Sequence, residues 1–228
     1  MPRTAFQDRL RAGIPLLGTL IQIAHPEVAV HIARQGFDWL FLDGEHGGYG
    51  PAEVATTLRA LRGAVPCLVR VPSQDGDILD AVAACGAEGL IVPHVDTAAQ
   101  AEAAVLQVRG RGLVVVQAES QGAVANIGAI ARVSGVDAVF VGPYDLTSSL
   151  GIPEQFDHPA FHSAIATVVE ACLKVRMPLG IFRMTAPEIF AHQAQGFALL
   201  ATGLDGTILD AGARGLMSEL RGRPYSGQ

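Results

Sequence analysis

Short apolar runs separated by amphipathic segments recur along the whole chain. The runs at 16–20, 39–42, 67–71, 89–92, 113–117, 138–141, 179–182 and 198–201 are four or five residues long and read as strands. Most are apolar at every position. That pattern suits strands covered on both faces, as in a parallel sheet wrapped by helices. Between them, alanine-rich segments such as Pro51–Leu61 and 158–175 space apolar residues three and four apart, the period of a helix with one buried face. Strict strand–helix alternation predicts a parallel sheet, and eight such units fit a closed (β/α)8 TIM barrel. No Gly-x-Gly-x-x-Gly fingerprint follows the first strand, which argues against an open dinucleotide-binding sheet. With no Pro/Ser-rich linker in view, the expectation is one domain over residues 1–228, with a frayed tail from about residue 221.

Composition sharpens this picture. Half of the 228 residues are hydrophobic and 17% are charged, enough apolar surface for a large core. A net charge of −6 and a pI near 5.6 disfavour nucleic acid or an anionic membrane as partner. No run approaches the roughly 18 to 20 apolar residues of a membrane span, and the N-terminus shows no apolar signal core. Cys67, Cys85 and Cys172 are odd in number and fit no zinc or disulfide spacing; reduced thiols and a cytoplasmic location are expected.

In such barrels the reactive side chains leave the C-terminal ends of the strands. Sorted that way, the second strand ends in Asp43-Gly44-Glu45-His46, the third in Arg70, the fifth in Gln117-Ala118-Glu119, and the sixth in Gly142-Pro143-Tyr144-Asp145. Each residue also has a plain structural reading. Glu119 and Asp145 suit helix caps, His46 suits a loop histidine bonded to Asp43, and Arg70 suits an ion pair with Glu45 or Asp43. Their joint arrival at one rim favours a site. Two carboxylates without a Cys/His cluster point to a hard cation held by oxygen, Mg2+ or Mn2+. The single lysine, Lys174, lies inside a predicted helix, so Schiff-base chemistry is disfavoured.

These segments resemble the HpcH/HpaI aldolases, the 4-hydroxy-2-oxoheptanedioate aldolase group. The resemblance runs from Gly18 to about Gly212. It rests on Gly36-Phe37-Asp38-Trp39 with Asp43-Gly44-Glu45-His46, Gly86-Ala87-Glu88-Gly89 with Pro93, Gln117-x-Glu119, and the run Val136 to Leu146. It implies a barrel of the phosphoenolpyruvate/pyruvate-domain type and reversible cleavage of a 4-hydroxy-2-oxo acid to pyruvate, or an analogue, and an aldehyde. By position it implies Glu119 and Asp145 as ligands of a divalent cation (Mg2+ or Mn2+, with Co2+ a further candidate). Arg70 would face the keto oxygen, and a His46–Asp43 dyad would move the hydroxyl proton. Gln117 would orient the substrate, while Gly142, Pro143 and Tyr144 line its carboxylate and Phe182 its methyl end. The resemblance further implies a homo-oligomer, a trimer or hexamer, assembled through a C-terminal helix at 208–220. Three features depart from it: a short connection between strands four and five, Cys85 for an aspartate, and Leu20 for an aromatic. Two other readings stand beside it, a citrate-lyase β-like acyl-CoA enzyme using Arg109 and Arg111, and a non-catalytic 2-oxo acid binding barrel.

Overall fold

The computed structural model describes residues 5–222. Eight parallel strands close into one barrel in sequence order. They are β1 (Leu16–Ile21), β2 (Trp39–Asp43), β3 (Cys67–Arg70), β4 (Gly89–Val92), β5 (Leu113–Ala118), β6 (Ala138–Val141), β7 (Leu179–Arg183) and β8 (Leu199–Leu204). The helices are α1 (Ala5–Arg11), α2 (Pro26–Ala33), α3 (Pro51–Leu61), α4 (Gly76–Ala84), α5 (Ala98–Val108), α6 (Gln121–Ile130), α7 (Pro143–Ser149), α8 (Pro159–Val175), α9 (Ala186–Gln193) and α10 (Asp205–Arg221). The (β/α)8 expectation holds, with strand ends moved by no more than a few residues. The expected tail, apart from Arg221 and Gly222, lies outside the described residues.

Strand periodicity sorts the core into two layers. Leu16, Leu20, Trp39, Phe41, Leu68, Ile91, Val115, Phe140, Leu199 and Ala201 fill the barrel interior, and Phe6 and Leu10 of α1 join them. Alternate residues, such as Leu40, Leu42, Val69, Val116 and Val139, pack outward against the helices. Inside, Phe140 meets Phe41 edge-on at 5.6 Å between centroids, and Trp39 stacks on Phe41 at 5.9 Å. The indole fits because Gly18 stands opposite; a Cβ there would lie 2.5 Å from the Trp39 ring. The same period of two carries the inward row of each strand up to the mouth, where Asp43, Arg70, Gln117 and Phe182 follow it.

α10 departs from the pattern of a wall helix. Its first residue, Asp205, is buried and accepts from the backbone amides of Gln22 and Ile23, at 3.2 and 2.8 Å. Beyond that anchor the helix leaves the barrel, and Ile208, Leu209, Leu216 and Leu220 are exposed.

Candidate active site

At the mouth, Asp43 is fully buried, which alone would raise its carboxyl pKa. Hydrogen bonds and charge from Arg70, with Gln22 and the His46 amide, reverse that and hold it below the ordinary value. Arg70 donates through Nε and Nη2 to the two oxygens of Asp43 at 2.9 and 2.8 Å, a bidentate pair. Gln22 adds a bond at 2.9 Å, and the amides of Glu45 and His46 complete the shell at 3.1 and 3.2 Å.

The sequence reading is corrected at the expected dyad. Asp43 meets the backbone of His46, not its ring. The ring Nδ1 instead lies 2.9 Å from Arg70 Nη2. Arginine only donates, so Nδ1 accepts and the ring proton sits on Nε2. Arg70 Nη1 stands 2.9 Å from Glu45 Oε2. That oxygen has no hydrogen bond of its own, so the contact is an ion pair without hydrogen-bond geometry.

Across the mouth, Gln117 and Glu119 are both 2% exposed. Gln117 Nε2 donates to Glu119 Oε2, while Gln117 Oε1 is buried without a partner. Glu119 Oε1 accepts from the backbone amide of His94 at 2.7 Å and lies 2.9 Å from that ring's Nδ1. Burial, with the charges of Asp145 and Glu45 adding to it, pushes the Glu119 carboxyl up to about 7; His94 opposes the shift. Asp145 sits in the first turn of α7, which Gly142 enters and Pro143 begins. Gly142 is required by close approach: a Cβ there would stand 2.6 Å from Glu119 Oε2 and 2.7 Å from Gln117 Nε2. Tyr144 packs edge-on against Phe156 at 5.1 Å and faces Phe182 at 6.5 Å.

A cavity of about 220 Å³ joins Gln22, His46, Arg70, Gln117, Tyr144 and Asp145, with Phe182 on its wall. Its donor set suits a hard cation. Two carboxylates, Asp145 on its lining and the buried Glu119 bonded to Gln117, concentrate negative charge there, and the buried Gln117 Oε1 has no hydrogen-bond partner. Among the described residues no group of three or more His, Cys, Asp or Glu converges as a metal cluster, so such an ion would draw its remaining oxygens from substrate and water. A larger cavity of about 750 Å³ lies outside the barrel wall between α8 and α9 and shares no residue with the mouth.

Gln22 and His94 were not among the expected site residues, and Glu45 was expected only as an ion-pair partner of Arg70, which it is. Gln22 and Glu45 flank Asp43 and Arg70, and His94 bridges to Glu119. Only their positions just beyond strand ends could have signalled them. The other basic residues lie away from the mouth, Lys174 inside a helix as expected. Lys174 is exposed on α8 and paired with Glu170 at 2.7 Å. Arg183 is buried beside Glu188 and stacked on Phe156 at 3.8 Å, away from the mouth cavity. Arg111 precedes β5, at the barrel face opposite the mouth, and is tied to Asp80 at 2.6 Å. Arg109 caps α5 at the same end, so neither arginine serves a groove at the rim.

Comparison with known proteins now decides the family. Residues 17–211 match HpcH/HpaI aldolase/citrate lyase. The chain belongs to this family. It is 32% identical to a 4-hydroxy-2-oxovalerate aldolase of Novosphingobium aromaticivorans, covering 93% of this chain and 92% of that one. It is also 32% identical to a hydroxypyruvate/pyruvate aldolase of Pseudomonas aeruginosa, with 97% and 94% covered. An HpcH/HpaI family structure from Burkholderia cenocepacia superposes with a TM-score of 0.91 at 27% identity, covering 96% of this chain and 100% of that one. The family's aldolases are carbon–carbon lyases, and membership carries that class to this chain. The alignments span 242 and 262 positions against 228 residues here, so these relatives carry insertions that this chain lacks.

Proposed function

We propose that the chain cleaves a 4-hydroxy-2-oxo acid reversibly into pyruvate, or a close analogue, and an aldehyde, at the mouth between Arg70 and Glu119. The observation that carries this reading is one small cavity lined by Asp145 and Gln117 together with Arg70 and His46, with the buried Glu119 bonded to Gln117 and the buried Asp43 bonded to Arg70. A divalent cation, Mg2+, Mn2+ or Co2+, held by Glu119 and Asp145 would supply Lewis acidity toward the 2-oxo acid.

The other steps belong to the side chains. Nε and Nη2 of Arg70 are committed to Asp43 and His46, which leaves Nη1, ion-paired with Glu45 but not hydrogen-bonded to it, to donate to the 2-oxo oxygen as negative charge develops there. Asp43 fixes the guanidinium plane for that contact. In synthesis the Nε2–H of His46 hydrogen-bonds the aldehyde oxygen as the C3–C4 bond forms, and the new alkoxide takes its proton from a water. In cleavage a water takes the C4 hydroxyl proton while His46 holds that oxygen, and the bonding pair stays on C3. Gln117 orients the acid from the cavity lining. Gly142, Pro143 and Tyr144 line the carboxylate end, and Phe182 lines the methyl end. No lysine is near the mouth, which agrees with a route that uses no Schiff base.

The exposed α10 face supports a homo-oligomer, a trimer or hexamer, in which that face is covered. No helix among the described residues is long and apolar enough to cross a membrane. With three free cysteines, that favours a cytoplasmic small-molecule enzyme without a nucleic-acid or membrane partner.

The test is pyruvate release, read by a coupled dehydrogenase, from 4-hydroxy-2-oxo acids by protein stripped of metal and reloaded with Mn2+. Release that is lost in Glu119→Ala supports the reading. No pyruvate from any such acid overturns it, and saturable pyruvate or oxalate binding without turnover would identify a binding barrel instead.

A further inference from the structure

His94 directly follows Pro93 at the end of β4 and stands at φ +56°, the left-handed region. Among the described residues four other non-glycine residues share such a φ, and three of them, Arg62, Arg109 and Arg176, are the C-caps of α3, α5 and α8. A cap explains those three, but His94 caps nothing. Its conformation is fixed by its surroundings: Gln74, from the β3–α4 loop, donates to the carbonyls of Pro93 and His94 at 3.0 and 2.6 Å. Strain that neighbouring groups hold in place concentrates at functional sites.

The turn has one clear result. It aims the backbone amide and the ring Nδ1 of a single residue at the same oxygen, Glu119 Oε1, at 2.7 and 2.9 Å. The other ring nitrogen, Nε2, lies 3.2 Å from Glu45 Oε1, and Glu45 Oε2 lies 2.9 Å from Arg70 Nη1. Glycine would adopt this backbone more easily and would still supply the amide. What only the imidazole adds is a bridge between two carboxylates on opposite sides of the mouth.

We propose that His94 is a positioning residue. It anchors Oε1 of Glu119 and thereby turns Oε2 toward the cation, and through Glu45 it ties the metal-holding side of the mouth to the Arg70 side. This rests on the reading of Glu119 and Asp145 as cation ligands and names what holds the first of them. Groups that orient a metal ligand commonly change affinity by about 10- to 100-fold when removed.

The experiment is titration of metal-stripped protein with Mn2+, followed by the paramagnetic resonance of the free ion, for the unaltered chain and for His94→Gly. The glycine relaxes the backbone, so the variant is expected to melt no lower than the parent. Its Mn2+ Kd should rise by about 10-fold or more. A Kd equal to that of the parent overturns the proposal and leaves the cation reading intact. A parent that binds no Mn2+ overturns both. A steady-state readout separates the role further: with saturating Mn2+, His94→Gly should recover most of its kcat, because the residue touches no substrate. A kcat that stays low at saturation is evidence against a role limited to positioning.

Discussion

Glu119→Gln should make the metal-free protein more stable and inactive. The ordinary glutamate value is 4.5, and this carboxyl is pushed up to about 7 by burial, then by Asp145 and Glu45. A folded-state value above the unfolded one means that the folded protein binds the extra proton. The stability associated with it is fully present below about pH 4.5 and is lost as pH rises through about 7. At about 1.4 kcal/mol per pH unit, roughly 3 kcal/mol separates the protonated and charged forms of the metal-free protein at pH 8. Glutamine removes that penalty at little steric cost. Its oxygen can accept from the His94 amide as Glu119 Oε1 does, and its NH2 can donate to Gln117 once that amide turns its orphaned Oε1 inward. In urea or thermal denaturation with chelator at pH 8, the variant should gain about 2–3 kcal/mol, or roughly 4 to 12 °C in Tm. The gain should fall below about 1 kcal/mol at pH 5 and vanish near pH 4. With Mn2+ present the order reverses, because only the parent is stabilised by binding. A variant that is less stable than the parent at pH 8 without metal, or whose gain does not depend on pH, would refute the electrostatic argument.

Other consequences follow from the same geometry. Gly142→Ala places a methyl within 2.6 Å of Glu119 Oε2 and 2.7 Å of Gln117 Nε2, so kcat/KM should fall by about 100-fold while far-UV dichroism is unchanged; activity within a factor of three would refute it. Arg70→Met leaves Asp43 charged and fully buried, costing about 3–5 kcal/mol by chemical denaturation. Adding Asp43→Asn should recover at least half of that stability and none of the activity, and full additivity of the two losses would contradict the pairing. Leu209→Glu with Leu216→Glu on the exposed face of α10 should reduce the sedimenting species to monomer with the barrel still folded; an unchanged sedimentation coefficient would rule that face out as the contact.

The fold was legible in the residue pattern because a strand covered on both faces must be apolar at nearly every position, and eight such runs leave few ways to close a sheet. The rim residues were legible for a related reason. A charge such as Arg70 or Glu119 at the end of an apolar strand is costly unless it faces a partner or a cavity, so its presence marks the mouth. What the pattern could not supply is which partner each group chooses. Asp43 and His46 are three residues apart in sequence, which invites a dyad, but the inward row of β3 brings Arg70 against Asp43 and diverts the His46 ring to the guanidinium. The bridge from His94 to Glu119 and Glu45 joins three loops separated by dozens of residues, and it depends on a left-handed turn that no local preference of Pro93-His94 announces. Hydrophobic periodicity is a local property of the chain, and it fixed the barrel and the ring of candidates at its mouth. Hydrogen-bond partners are set by distances across the barrel, and only closure of the eight strands decided them.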